Sequence, residues 1–266
     1  MEGAQIPNCQ SDGCTLIVDI FLRSSDGVLH AAHSKNLEMY GEGFPPSALV
    51  SVSRGGDTAQ PEVVQMTEQS DIIELLLKYM HLQRQPDLSR HKFDTLAGLA
   101  EAAEKYLVYS AMDVCRIRMG LYVQDHPARV LAYAIKHDYP ELRDVAVPLT
   151  LTMPLSTMKA LLQDAPHGFI AWAQYREGFI EAMHSSLVPG TVVLHKGGVQ
   201  SCGVWEDFHC AILRRIDLDS IRDFSRLIGE HKHQLDGCHH CTVRAENWAK
   251  SVAHRVSKLP LFSYFL

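Results

Sequence analysis

The stretch "TLIVDIFLRSSDGVLHAAH", residues 15–33, decides what kind of fold this chain adopts. Leu16, Val18, Ile20 and Leu22 recur at every second residue, the period of a strand with one buried face. "SSDG" supplies a turn, with Gly27 at the position that needs a positive φ, and "VLHAAH" returns as a second strand. A β-hairpin is therefore expected. Outward from it, "SKNLEMYGEGF" predicts a short helix that Ser34 can cap. "VSRGGDTAQPE" reads as a polar loop and "VVQM" as a short strand. On the other side, residues 1–13 have no periodicity and are expected to be disordered or loosely attached.

From Asp71 onward the pattern becomes helical. Asp71 with Glu74 predicts an N-terminal cap, and "IIELLLKYM" is apolar almost all round, as a central helix would be. Phe93, Leu96, Ala100, Ala103 and Leu107 step by three and four along one face. Met112, Cys115 and Met119 continue the pattern, which makes Cys115 a core thiol. Pro127 and Pro140 each open a further helix, and another follows at 155–162. Phe169, Trp172, Arg176, Phe179, Met183 and Leu187 fit one long amphipathic helix. "PGTVVLHKGG" is a short extended excursion. Helices are expected at 205–216 and at 221–228, the latter capped by Asp219 or Ser220. Ala245, Trp248, Val252 and Val256 form a last helical stripe, ended by Pro260.

Composition narrows the function classes. The net charge of −6 argues against a nucleic-acid binder, which needs a basic patch to meet phosphates. The first apolar run, "LIVDIFL", is interrupted by Asp19, so neither a secretory signal nor a membrane span is expected. Seven cysteines, an odd number, point to free thiols in a reducing compartment, cytoplasmic or nuclear.

These elements make an α+β chain: a small β-sheet capped by helices, followed by mostly α-helical regions. At this point the residues resemble a known family. "DIFLRSSDGVLHAAHSKNLEMYGEGF" resembles the opening of a BTB/POZ domain of the fungal type, with His33, Leu37 and Phe44 in its His-x3-Leu and trailing aromatic positions. "ELLLKYMHLQRQPDL" and "LAGLAEAAEKYLVYSAMDVC" resemble the next stretches, with Ala103, Lys105 and Tyr106 at the "A-x-K-Y" positions. "HPARVLAYAIKHDYPEL" resembles the helical extension of such proteins. The resemblance implies a disordered N-terminus at 1–13, a BTB/POZ-like domain at 14–110, a helical extension at 111–163 and an uncharacterised, mostly helical region at 164–266.

The family's members are non-catalytic protein-interaction modules. The resemblance therefore implies a scaffold or oligomerisation role with protein partners, a homodimer among them, and in some members substrate recruitment to a cullin ubiquitin ligase. Between Phe44 and Val63, however, no hydrophobic-x-Glu cullin-contact motif stands. The N-terminal dimerising helix of many animal members also has no counterpart in residues 1–13.

No catalytic motif appears: no Gly-x-Ser-x-Gly, Gly-x-Gly-x-x-Gly, phosphate loop or His-Glu-x-x-His. No catalytic residue and no organic cofactor are expected. Glu177, Glu181 and His184 read as a solvated helix face. The one segment that raises metal chemistry is "DGCHHCTVRAENW", residues 236–248. Cys238 and Cys241 have the pair spacing of a structural zinc site, but zinc takes four ligands. His254 follows Cys241 at the spacing of a zinc finger's third ligand, but no histidine follows it as a fourth, and Trp248, Val252 and Val256 claim its helix for packing. Cys202, Cys210, His209, His231 or His233 could complete the set from a distance. A redox pair would need a preceding strand and a helix starting between the cysteines. The pair is read as turn and packing residues leading into a helix, with zinc binding or redox chemistry as the alternatives.

Overall fold

The computed structural model describes residues 8–11, 13–44, 62–189, 192–196, 198 and 202–266. The polar loop expected before the third strand, and much of the N-terminal segment, lie outside the described residues. The fold is α+β. It divides into two compact units, Met1–Asp125 and His126–Leu266. The boundaries expected after residues 110 and 163 both fall inside these units. α4 (Tyr109–Leu121) packs along α3 (Phe93–Tyr106), and α7 (Leu155–Leu161) packs on α8 (Pro166–Ser186).

The first unit is built on a three-stranded sheet of order β2-β1-β3. β1 (Ile20–Arg23) pairs antiparallel with β2 (Leu29–Ala32) and parallel with β3 (Glu62–Gln65), Phe21 lying opposite Ala31 and Val63. The turn forms as its residues predict. Gly27 has φ +88°, its N–H donates to the Ser24 carbonyl (3.0 Å), and the buried Ser24 hydroxyl bonds both the N–H and the carbonyl of Val28. The alternation from Leu16 does not mark the strand. Leu16 and Ile17 are exposed, and β1 begins at Ile20 with Ile20, Phe21 and Leu22 all buried. A central strand covered on both faces has no polar side, so consecutive apolar residues form it rather than alternating ones.

α1 (Ser34–Tyr40) follows β2 directly. Ser34 does not cap it. The Asp19 carboxylate accepts both the Ser34 N–H (2.8 Å) and the Ser34 hydroxyl (2.5 Å). The cap is thus supplied across the hairpin, by a side chain placed there once β1 and β2 pair. Asp19→Ala is expected to cost about 0.5–2 kcal/mol of unfolding free energy, the usual worth of a lost N-cap, read by urea denaturation.

The same device recurs at α2 (Ser70–Tyr79), whose Ser70 N–H donates to Asp26 of the hairpin turn (3.0 Å). Glu74 instead pairs with Lys78 one turn on (2.7 Å), so the expected Asp71–Glu74 cap is replaced. α2 buries Ile72, Ile73, Leu75, Leu76, Leu77 and Tyr79.

α3 and α4 complete this core through Leu96, Leu99, Ala100, Ala103, Ala111, Cys115 and Met119. Cys115 is fully buried, and that burial pushes its thiol up to about 12, as a core residue requires. Leu107 is not on the helix face; at φ +52° it ends α3 in the left-handed conformation. Lys105 and Tyr106 both reach back to the Glu68 carboxylate, at 2.8 and 2.9 Å. Burial would raise that carboxyl, but the bonds from Lys105, Tyr106 and Thr67 outweigh it and hold it below its ordinary value.

The second unit contains α5 (Pro127–Lys136), α6 (Pro140–Ala146), α7, α8, α9 (Gly203–Leu213), α10 (Phe224–His231) and α11 (His239–Val256). Pro127 and Pro140 begin their helices, where their missing N–H costs nothing. α10 is capped by Asp223, which accepts the Arg226 N–H (3.2 Å), rather than by Asp219 or Ser220. Trp172 is fully buried and donates its indole N–H to the Thr150 hydroxyl (2.9 Å). A second cluster gathers Trp205, Phe208, Ile212, Phe224, Ile228, Ala245, Trp248 and Val252. Among the described residues no helix is long and apolar enough to cross a membrane.

Candidate metal centres

Five of the seven cysteines fall into two clusters, each with four donors whose ligand atoms lie within 4.8 Å of one another. The first unit brings together Cys9, Cys14, His33 and His81; the second brings together His195, Cys202, Cys238 and Cys241.

In the first cluster the segment before β1 folds back over the hairpin. Cys14 Sγ lies 3.3 Å from His33 Nε2, and Cys9 Sγ lies 3.3 Å from His81 Nε2. Both histidines are buried. His33 follows β2 at the start of α1, and its Nδ1 is 2.7 Å from the Ile17 carbonyl. His81 follows α2, and its Nδ1 is 2.7 Å from the Leu77 carbonyl. A carbonyl oxygen only accepts, so in each ring Nδ1 carries the proton and Nε2 presents its lone pair to the sulfurs. That tautomer is set by the outer hydrogen bond, as in metal-ligating histidines. The two rings meet edge to face at 5.4 Å. Cys9 is raised above an ordinary thiol, first by burial.

The expectation that residues 1–13 are loosely attached therefore does not hold for Cys9. β1 begins at Ile20, opposite Ala32, the last residue of β2; ahead of it Cys14 and the Ile17 carbonyl meet His33, and Asp19 meets the start of α1.

The second cluster is built at two helix starts. Cys202 is the N-cap residue of α9, and Cys238 that of α11, with Cys241 in the first turn. Backbone N–H groups and the positive end of the dipole at such a start favour thiolate. The Cys241 N–H lowers the Cys238 thiol to about 7, and the Cys241 thiol, His195 and Cys202 assist. Cys241 is fully buried, and burial, then the neighbouring thiols, raise it well above an ordinary cysteine. His195 Nε2 stands 3.1 Å from Cys238 Sγ and 3.4 Å from Cys241 Sγ. Cys202 Sγ is 3.2 Å from Cys241 Sγ and 4.0 Å from Cys238 Sγ. Arg244, one turn along α11, stacks on Trp205 at 4.1 Å and sets a positive charge beside Cys241.

Cys238 and Cys241 stand where a turn leads into a packed helix, as expected: Cys238 ends the turn as the N-cap residue, and Cys241 is buried in the first turn of α11. The helix begins between them, which meets one requirement of a redox pair. The other is not, because a 3-10 turn, Lys232–Leu235, precedes the pair where a strand would be needed.

Of the distant candidates, Cys202 joins the site. Cys210 and His233 are exposed, His231 donates to the Leu227 carbonyl, and His209 packs between Trp205 and Trp248. His254 is exposed near the other end of α11, thirteen residues and about 20 Å from Cys241. Glu177, Glu181 and His184 are exposed on α8.

Sequence reasoning missed His195 and the whole first cluster. The available signals were the pair Cys9 and Cys14, close together ahead of the hairpin, and a histidine in the otherwise unassigned excursion at 189–198. Compared with models of known protein families and with curated proteins, the chain matches none.

Proposed function

We propose that the protein is a non-catalytic interaction protein whose first unit is a BTB/POZ-like module, acting in a reducing intracellular compartment. The observation that supports this reading is the path of the first unit. A hairpin, a helix and a third strand parallel to the first give the order β2-β1-β3, and α2, α3 and α4 follow, with a 3-10 turn at Leu88–Arg90 between the first two. The residues that carry the resemblance also have structural work in that path. Leu37 is buried, Phe44 stacks on Tyr106 at 4.4 Å, and Lys105 and Tyr106 hold Glu68.

The test is the mass of the full chain by light scattering over a range of micromolar concentrations, with a cullin binding assay on the same preparation. A mass of twice the 29.8 kDa chain is expected. A single-chain mass at every concentration, together with no cullin binding, would overturn the proposal.

A further inference from the structure

We infer that the two clusters are structural zinc sites, a Cys2His2 site from Cys9, Cys14, His33 and His81 and a Cys3His site from His195, Cys202, Cys238 and Cys241. The inference is independent of the interaction role.

Distances carry the first part of the argument. Zinc bonds of about 2.0–2.3 Å to nitrogen and sulfur place tetrahedral donors about 3.3–3.8 Å apart. The separations found are 3.3 and 3.3 Å in the first cluster and 3.1, 3.2, 3.4 and 4.0 Å in the second. The two sulfur–sulfur separations, 3.2 and 4.0 Å, are far longer than the about 2.05 Å of a disulfide, and every cysteine is free.

Donor chemistry carries the second part. In His33 and His81 the backbone already holds Nδ1–H, so each ring has one lone pair left, and it faces sulfur. Four soft and borderline donors converge on one point in each unit, which suits zinc rather than calcium or magnesium.

Topology carries the third. The ligands of each site come from segments with no covalent reason to meet. Cys9 and His81 are 72 residues apart, and His195 and Cys241 are 46 apart. The first ion pins the segment before β1 to the ends of β2 and α2. The second pins the segment around His195 to the starts of α9 and α11. Charge is consistent as well: three thiolates, a neutral imidazole and Zn2+ sum to one negative charge, and Arg244 lies beside it.

The full chain, purified without chelator, is expected to carry two zinc ions by elemental analysis, one for each cluster. Cys14→Ser and Cys241→Ser are each expected to lose one of them. An unaltered chain that holds one ion, kept by Cys14→Ser and lost with Cys241→Ser, overturns the first site; one kept by Cys241→Ser and lost with Cys14→Ser overturns the second.

Should either variant fail to fold, zinc X-ray absorption on the unaltered chain decides. An average first shell of five sulfurs and three nitrogens for every two ions is expected. An oxygen shell would mark adventitious metal and overturn the inference. So would less than about a tenth of an equivalent of zinc, stoichiometric iron in its place, or a Cys238–Cys241 disulfide in the native protein.

Discussion

Trp248→Ala is expected to lower the unfolding free energy by about 3–5 kcal/mol, the cost of removing a large aromatic side chain from a packed core. Trp248 has no exposed surface. Its ring meets Phe224 edge on at 5.0 Å, His209 at 5.4 Å and Trp205 at 6.2 Å, so truncation opens a cavity that three rigid rings cannot fill. Its indole N–H also donates to the Ser186 carbonyl (3.0 Å), which ties α11 to the end of α8. Trp248→Phe, which keeps most of the volume but removes the donor, is expected to cost about 1–3 kcal/mol.

Because Trp248 seats the helix that begins with Cys238 and Cys241, the alanine variant should also release zinc at lower chelator concentration. Urea denaturation with a metal-sensitive dye reads both effects. A loss below about 1 kcal/mol would show that the cluster does not hold this unit together.

Gly43→Ala is the corresponding expectation for the first unit. Gly43 sits in the turn after α1, and its N–H donates to the Tyr106 carbonyl (3.0 Å). A methyl group there would stand 2.6 Å from the Lys105 carbonyl oxygen, 2.6 Å from Tyr106 Cα and 2.8 Å from its carbonyl carbon. These are backbone atoms at the last turn of α3, not side-chain ends that can swing aside. The turn must therefore lift, breaking the hydrogen bond and pulling Phe44 from its 4.4 Å stack on Tyr106. Overpacking of this kind costs about 1–3 kcal/mol, and the backbone clash places this site at the upper end. The readout is the urea midpoint at saturating zinc, with m unchanged. A variant as stable as the parent would mean that this turn is not held against α3.

If zinc is held as inferred, each unit gains from a metal what an oxidising compartment would supply with disulfides. Ligand binding restricted to the folded state adds its free energy to folding. It also accounts for the pairing of the buried His33 and His81 with thiols, an arrangement that hydrophobic burial alone would not select.

The sequence by itself determined the elements whose causes are local. Gly27 in its turn, Pro127 and Pro140 at their helix starts, the α3 stripe from Phe93 to Ala103 and the α11 stripe through Trp248 all depend on residues within a few positions of one another. The tertiary structure decided whatever depends on residues brought together by folding. The caps of α1 and α2 come from Asp19 and Asp26, which reach their helices only after the hairpin forms. The start of β1 at Ile20, not Leu16, goes with burial on both faces and with its pairing to Ala32, the last residue of β2.

The candidate sites divide along the same line. Cys238 and Cys241 were visible as a pair because two residues separate them. Cys202 stood only as one of five distant candidates, and His195 and all four members of the first cluster were not visible, because a tetrahedral site asks only that four donors converge in space. Spacing along the chain records such convergence only when the ligands share a turn or a helix start.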